Sequence, residues 1–187
     1  MIHFDSDYMA GAHPEILEAL VRTNLEHTAG YGNDPYTAEA KALIRKAVGV
    51  EDAQVFFLVG GTQTNATVID GILARHEGVV AADSGHIAVH ESGAIEASGH
   101  KVLTLPHHEG KLRAEEVERY IKDFCADETY PHMVAPGMVY ISQPTEYGTI
   151  YSLAELEALG AVCRKHAIPL YIDGARLGYG LKAEGAD

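Results

Sequence analysis

Apolar positions along the chain switch between a helical period and short unbroken runs. Pro14 follows His13 and opens a helical stretch with Ile16, Leu17, Leu20 and Val21 on one face. The breaker segment Gly30-Tyr31-Gly32-Asn33-Asp34-Pro35 ends that pattern. A second helix is predicted over residues 37–48, with Leu43, Ile44, Ala47 and Val48 apolar. Val55-Phe56-Phe57-Leu58-Val59 is an apolar run of β-formers and predicts a buried strand. Gly60-Gly61-Thr62 ends it, and a helix is expected to about Arg75. Further strands are predicted at residues 79–82, 101–105, 138–141 and 169–172. Helices are predicted at residues 87–97 and 115–124, and from Ser152 to about His166. Ser152 and Glu155 have the spacing of a capping box, which fixes the start of the last of these.

Strands alternating with helices predict an α/β fold: three layers, α/β/α, around a mostly parallel sheet. Ligands of such sheets bind beyond the C-terminal strand ends, so residues just after strands are the candidates for chemistry. The chain has 187 residues, for which one domain is the expectation. A chain of this length buries a core without disulfides or a structural metal. Cys125 and Cys163 stand far apart and are expected to be reduced thiols. No basic leader or bilayer-length apolar run is seen, so a soluble, cytoplasmic setting is expected. The net charge of -13 argues against nucleic acid or an anionic membrane as partner. It does not argue against a phosphorylated cofactor, because a phosphate site is built from local donors.

Three strand ends carry candidate chemistry. Gly60-Gly61-Thr62 lies between a strand and a helix, where unpaired amides and the Thr62 hydroxyl can donate to an anion. Gln63 and Asn65 lie within reach of the same ligand. Alone, the motif is more often a tight turn with a helix cap. Asp173-Gly174-Ala175-Arg176 follows the last strand. A carboxylate there can hold a ring nitrogen protonated, and a guanidinium can grip a carboxylate in two parallel hydrogen bonds. The bland alternative is a structural salt bridge. His86 follows the strand at residues 79–82 and suits ring stacking or proton transfer. His90 lies one helical turn on, a metal-ligand spacing. Ile87 stands where the zinc-peptidase motif needs glutamate and no third ligand is obvious, so His90 is read as a surface histidine. His107-His108 reads as a solvated turn.

In this order, the motifs resemble the threonine aldolases, and more broadly the β-eliminating lyases, among the fold-type-I pyridoxal-phosphate enzymes. The elements are Ser6-Asp7, Tyr31-Gly32-Asn33-Asp34-Pro35, Gly60-Gly61-Thr62 with Asn65, His86, and Asp173-Gly174-Ala175-Arg176. The resemblance implies pyridoxal 5'-phosphate bound by Gly60, Gly61, Thr62, Asn65, His86 and Asp173. It implies His86, Asp173 and Arg176 as catalytic residues, and Ser6, Tyr31 and Arg176 as contacts to an amino-acid substrate. It implies cleavage of L-threonine or a related β-hydroxy amino acid to glycine and an aldehyde, in a dimer or tetramer. β-Elimination on the same cofactor is the alternative; a metal-dependent hydrolase using His86 and His90 is a second, and a non-catalytic remnant a third. Two departures stand out: Glu146 occupies the place of a family histidine, and Asp5 that of an arginine before the serine.

The family's Schiff-base lysine follows one more strand after the Asp-Gly-Ala-Arg element. Lys182 is too close to Arg176 to leave room for that strand, and Lys101 and Lys165 read as solvated. The chain is therefore expected to be part of a large, cofactor-binding domain, without the lysine segment or the C-terminal small domain, and inactive alone.

Overall fold

In a computed structural model, which describes Ser6 and residues 8–183, four parallel strands lie in the order β2-β1-β3-β4. They are β1 (Glu77–Ala82), β2 (Val102–Leu105), β3 (Ala135–Ser142) and β4 (Leu170–Asp173). Side chains alternate along a strand. Val79, Ala81, Met138 and Tyr140 thus face one side, packed with Ile69 of helix α3 (Gly61–Ile72), Ile87 of α4 (His86–Val89) and Ile95 of α5 (Ala94–Ala97). Val80, Ala82, Val139 and Ile141 face the other, against Val117 and Ile121 of α6 (Ala114–Ala126) and Leu159 and Cys163 of α7 (Leu153–Lys165). The predicted three-layer α/β/α architecture is the observed one.

The chain divides into two compact units, Met1–Phe57 and Leu58–Asp187. The sheet belongs to the second. The first holds α1 (Pro14–Thr23) and α2 (Pro35–Val48). Asp34 caps α2 by accepting from the Thr37 amide at 2.8 Å and its hydroxyl at 2.7 Å. Those bonds, the hydroxyl first, hold the Asp34 carboxyl below its ordinary pKa. Arg45 Nε donates to Ala53 O at 2.7 Å and ties the following segment back to α2.

Two predicted elements differ. Residues 55–59 form no strand: Phe56 is 73 % exposed and Val59 93 %. β-formers make a strand only when a neighbour takes their backbone hydrogen bonds, and no described strand pairs this run. The helix expected over residues 87–97 is split into α4 and α5. Ser92 and Gly93 both take positive φ, 53° and 74°, and turn the chain between them. Elsewhere the boundaries move by a few residues, and Ser152 and Glu155 do form the capping box of α7.

The loop after β3 is bolted down. Gln143 Nε2 donates to Tyr151 O and its Oε1 accepts from Tyr151 N. Thr145 is buried under Gly110, which has φ +86°. A Cβ on Gly110 would lie 2.6 Å from Thr145 Oγ1. Gly110→Ala is therefore expected to cost about 1–3 kcal/mol through overpacking and a strained φ. Urea melting checks this, and an unchanged midpoint would refute the close packing.

Candidate active site

The sheet order sets where a ligand can sit. The chain leaves β1 toward β2 on one side, and β3 lies on the other side of β1 and leads to β4. The crevice beyond the ends of β1 and β3 is thus the topological switch point. His86 stands just past β1, Glu146 just past β3, and Asp173 closes β4.

The parallel register pairs Tyr140 with Tyr171 and Ser142 with Asp173. Residues two apart share a face, so these four line one side of the sheet, beneath α3. Asp173 Oδ2 accepts from Tyr140 OH at 2.8 Å and from Asn65 Nδ2 at 3.0 Å. Its Oδ1 accepts from Ala175 N at 3.1 Å. Asn65, 1 % exposed on α3, also donates to Glu91 Oε1 at 2.6 Å and accepts from Tyr171 OH at 2.6 Å. Burial, then the Asp173 charge, pushes the Tyr140 phenol far up. Burial, then the charges of Asp173 and Glu91, pushes Tyr171 up to about 12. Both hydroxyls therefore stay protonated donors at neutral pH.

A second arm runs to His86. Its Nδ1 lies 2.8 Å from Glu91 Oε1, and its backbone N–H donates to Glu146 Oε1 at 2.9 Å. Ser142 Oγ donates to the same Glu146 oxygen at 2.5 Å and lies 3.3 Å from Tyr140 OH. The contacts close a ring through His86, Glu91, Asn65, Asp173, Tyr140, Ser142 and Glu146. Beside it opens a cleft of about 460 Å³, lined in part by Asp83, Ser84, His90, His107, Glu146 and Tyr147.

At the mouth of α3, Gly60 is the N-cap and offers no side-chain acceptor to the first amides. Nothing lies within 4 Å of a Cβ built on Gly60 or Gly61, so the backbone is open to close approach. The Gln63 carbonyl is engaged with Val59 N at 3.0 Å. Asn65 is one helical turn past Gly61, which sets the Asp173 network about 6 Å along the axis from the glycine turn.

The structure thus brings Asn65, His86 and Asp173 together and places Gly60, Gly61 and Thr62 at the start of the same helix. Arg176 is half-buried, three residues beyond Asp173 and just before α8 (Leu177–Ala183). Ser6 and Tyr31 belong to the first unit: the Ser6 hydroxyl accepts from Tyr8 N, and Tyr31 is fully exposed at φ 60°. The Asp7 of the N-terminal motif lies outside the described residues. Sequence reasoning missed Glu91, Tyr140, Ser142 and Tyr171 as parts of the site. The His86 and His90 rings are 5.5 Å apart, and among the described residues no three His, Cys, Asp or Glu side chains could hold a metal ion. His107 and His108 form a turn but are engaged rather than solvated. The His107 ring accepts from Gly110 N and stacks near Tyr147, and His108 meets Glu116 at 2.9 Å.

A parallel sheet covered on both faces, with an acid ending one strand and a glycine turn opening a helix over it, is the architecture of the fold-type-I pyridoxal-phosphate enzymes. The family model described as beta-eliminating lyase matches residues 3–184. The chain belongs to that family. A low specificity L-threonine aldolase of Pseudomonas sp. (strain NCIMB 10558) is 33% identical over 92% of this chain and 49% of its own length. The solved threonine aldolase of Leishmania major is 44% identical, with a TM-score of 0.91 over 97% of this chain and 52% of that one. A PLP-bound C-S lyase of Staphylococcus hominis, 15% identical, shares the fold at a TM-score of 0.54 over 85% of this chain and 39% of its own. The chain spans about half the length of the curated relatives it matches. No helix among the described residues is long and apolar enough to cross a membrane.

Proposed function

We propose that this chain forms the cofactor-binding part of a pyridoxal-phosphate enzyme that cleaves L-threonine, or a related β-hydroxy amino acid, to glycine and an aldehyde. The observation that carries the reading is the Asp173 carboxylate, oriented by three donors and joined through Asn65 to the uncapped glycine turn of α3. That donor set fits the cofactor. The Gly61 and Thr62 amides would take its phosphate. Asp173 would hold a proton on its ring nitrogen. His86 would stack on the ring and assist the proton transfer at the substrate hydroxyl. When bound, the cofactor supplies the electron sink for the bond broken at the substrate Cα.

Arg176 would hold the substrate carboxylate. Glu146 lines the cleft beside His86. Lys182 lies within α8 rather than after a further strand, and so does not match the Schiff-base position that the resemblance implies. The threonine aldolases among the relatives favour carbon–carbon cleavage, and the family description keeps β-elimination as the alternative.

The test uses the complete gene product that carries this chain. It should show a visible cofactor band and release acetaldehyde from L-threonine. Ammonia and a keto acid with no aldehyde would transfer the assignment to β-elimination, and the lack of any cofactor band would overturn both.

A further inference from the structure

A buried acid with one oxygen left unpartnered needs an explanation. The Glu91 side chain is fully buried; its Oε1 contacts Asn65 Nδ2 and His86 Nδ1, and its Oε2 is buried with no hydrogen-bond partner. Burying an acid this way is costly, and a leucine or glutamine would pack there at less cost. Its placement is the work of the chain reversal at Ser92 and Gly93, which turns Glu91 inward while its neighbours Val89 and His90 stay exposed.

We infer that Glu91 is a positioning residue for His86: its buried Oε1 accepts a hydrogen bond from Nδ1–H, fixes the ring's tautomer and orientation, and leaves Nε2 as the acceptor that moves a proton. The inference rests on the proposed role of His86. The chemistry follows from the inventory of groups. A neutral imidazole has one N–H and one lone pair, so a carboxylate at 2.8 Å from Nδ1 places the lone pair on Nε2. Asn65 makes the arrangement rigid. With its oxygen committed to Tyr171 OH, its amide must point both hydrogens at Glu91 and Asp173. Glu91 therefore cannot rotate away from His86 without stranding the Asn65 donor.

The experiment uses the complete, ¹⁵N-histidine-labelled protein, with solid-state NMR of the ring nitrogens and His86→Asn to identify the His86 signal. In wild type, with or without cofactor, His86 should be the Nδ1–H tautomer. Glu91→Gln should keep it, because the Asn65 amide orients the glutamine oxygen toward the ring. Glu91→Leu should return it to the Nε2–H form that free imidazole prefers. Glu91→Leu should also lower kcat about 10- to 100-fold, within the span a general acid–base group supplies, with KM changed less than about 3-fold. In the His86→Asn background, the same replacement should change kcat less than about 2-fold, since it acts through the ring. An Nε2–H tautomer in wild type overturns the inference even if Glu91→Leu does not fold. A full loss of kcat in the His86→Asn background also overturns it. A wild type with the expected tautomer but no cofactor band instead defeats the function proposed above.

Discussion

Replacing Asp173 by asparagine in the complete protein is expected to lower turnover by about 10²- to 10³-fold while the fold survives. The shape is retained, and an amide oxygen can still accept from Tyr140 OH and Asn65 Nδ2, which lie at 2.8 and 3.0 Å from the native oxygen. What is lost is the negative charge that would hold the ring nitrogen protonated. Removing one preorganised electrostatic partner from a reaction centre costs about 2.7–4 kcal/mol of barrier, which sets that range. Alanine should cost at least as much and also destabilise, because it strands the Tyr140 hydroxyl and one Asn65 donor. Steady-state kinetics on the asparagine variant decides the matter. Turnover within a few-fold of wild type, with cofactor bound, would remove Asp173 from the electron-sink role.

The strand ends were legible from the chain because they follow from period and punctuation alone. An apolar run that stops at a glycine or an aspartate marks the edge of a parallel sheet. Residues 79–82 and 169–172 did so, and His86 and Asp173 followed. Residues 55–59 satisfied the same pattern and are not a strand, because pairing depends on a neighbour that local sequence does not reveal. Glu91 was hidden for a different reason. A charged residue beside His90 reads as solvated, and only the φ reversal at Ser92 and Gly93 sends it inward. Tyr140 and Tyr171 were read as β-formers. Their signal was nonetheless present: each lies two residues before a polar strand end, Ser142 or Asp173, and so on its face. Asn65 was read as a ligand contact. Its structural place is beneath the site, joining two acids.

That place makes Asn65 the residue whose replacement should disturb the molecule most. Asn65→Leu leaves the half-buried Tyr171 hydroxyl without its acceptor and Glu91 Oε1 without a donor at 2.6 Å. Each stranded group costs about 1–3 kcal/mol, so a loss of about 2–6 kcal/mol is expected in denaturant melting. Asn65→Asp is the sharper probe, since it has the native shape. It puts a carboxylate oxygen where an amide nitrogen now lies 2.6 Å from Glu91 and 3.0 Å from Asp173. An acid at hydrogen-bond distance from two others cannot share the site with all three charged, so near neutral pH the folded variant must hold a proton that the unfolded chain, whose carboxyls ionise at about pH 4, has already released. The folded state then holds more protons than the unfolded one, and stability must fall as pH rises. Melting Asn65→Asp at about pH 5 and about pH 8 should give the higher midpoint at the acid end, relative to wild type under the same conditions. Parallel pH dependence in the two proteins would mean that Asn65 does not separate Glu91 from Asp173, and the closed ring of contacts around His86 would lose its keystone.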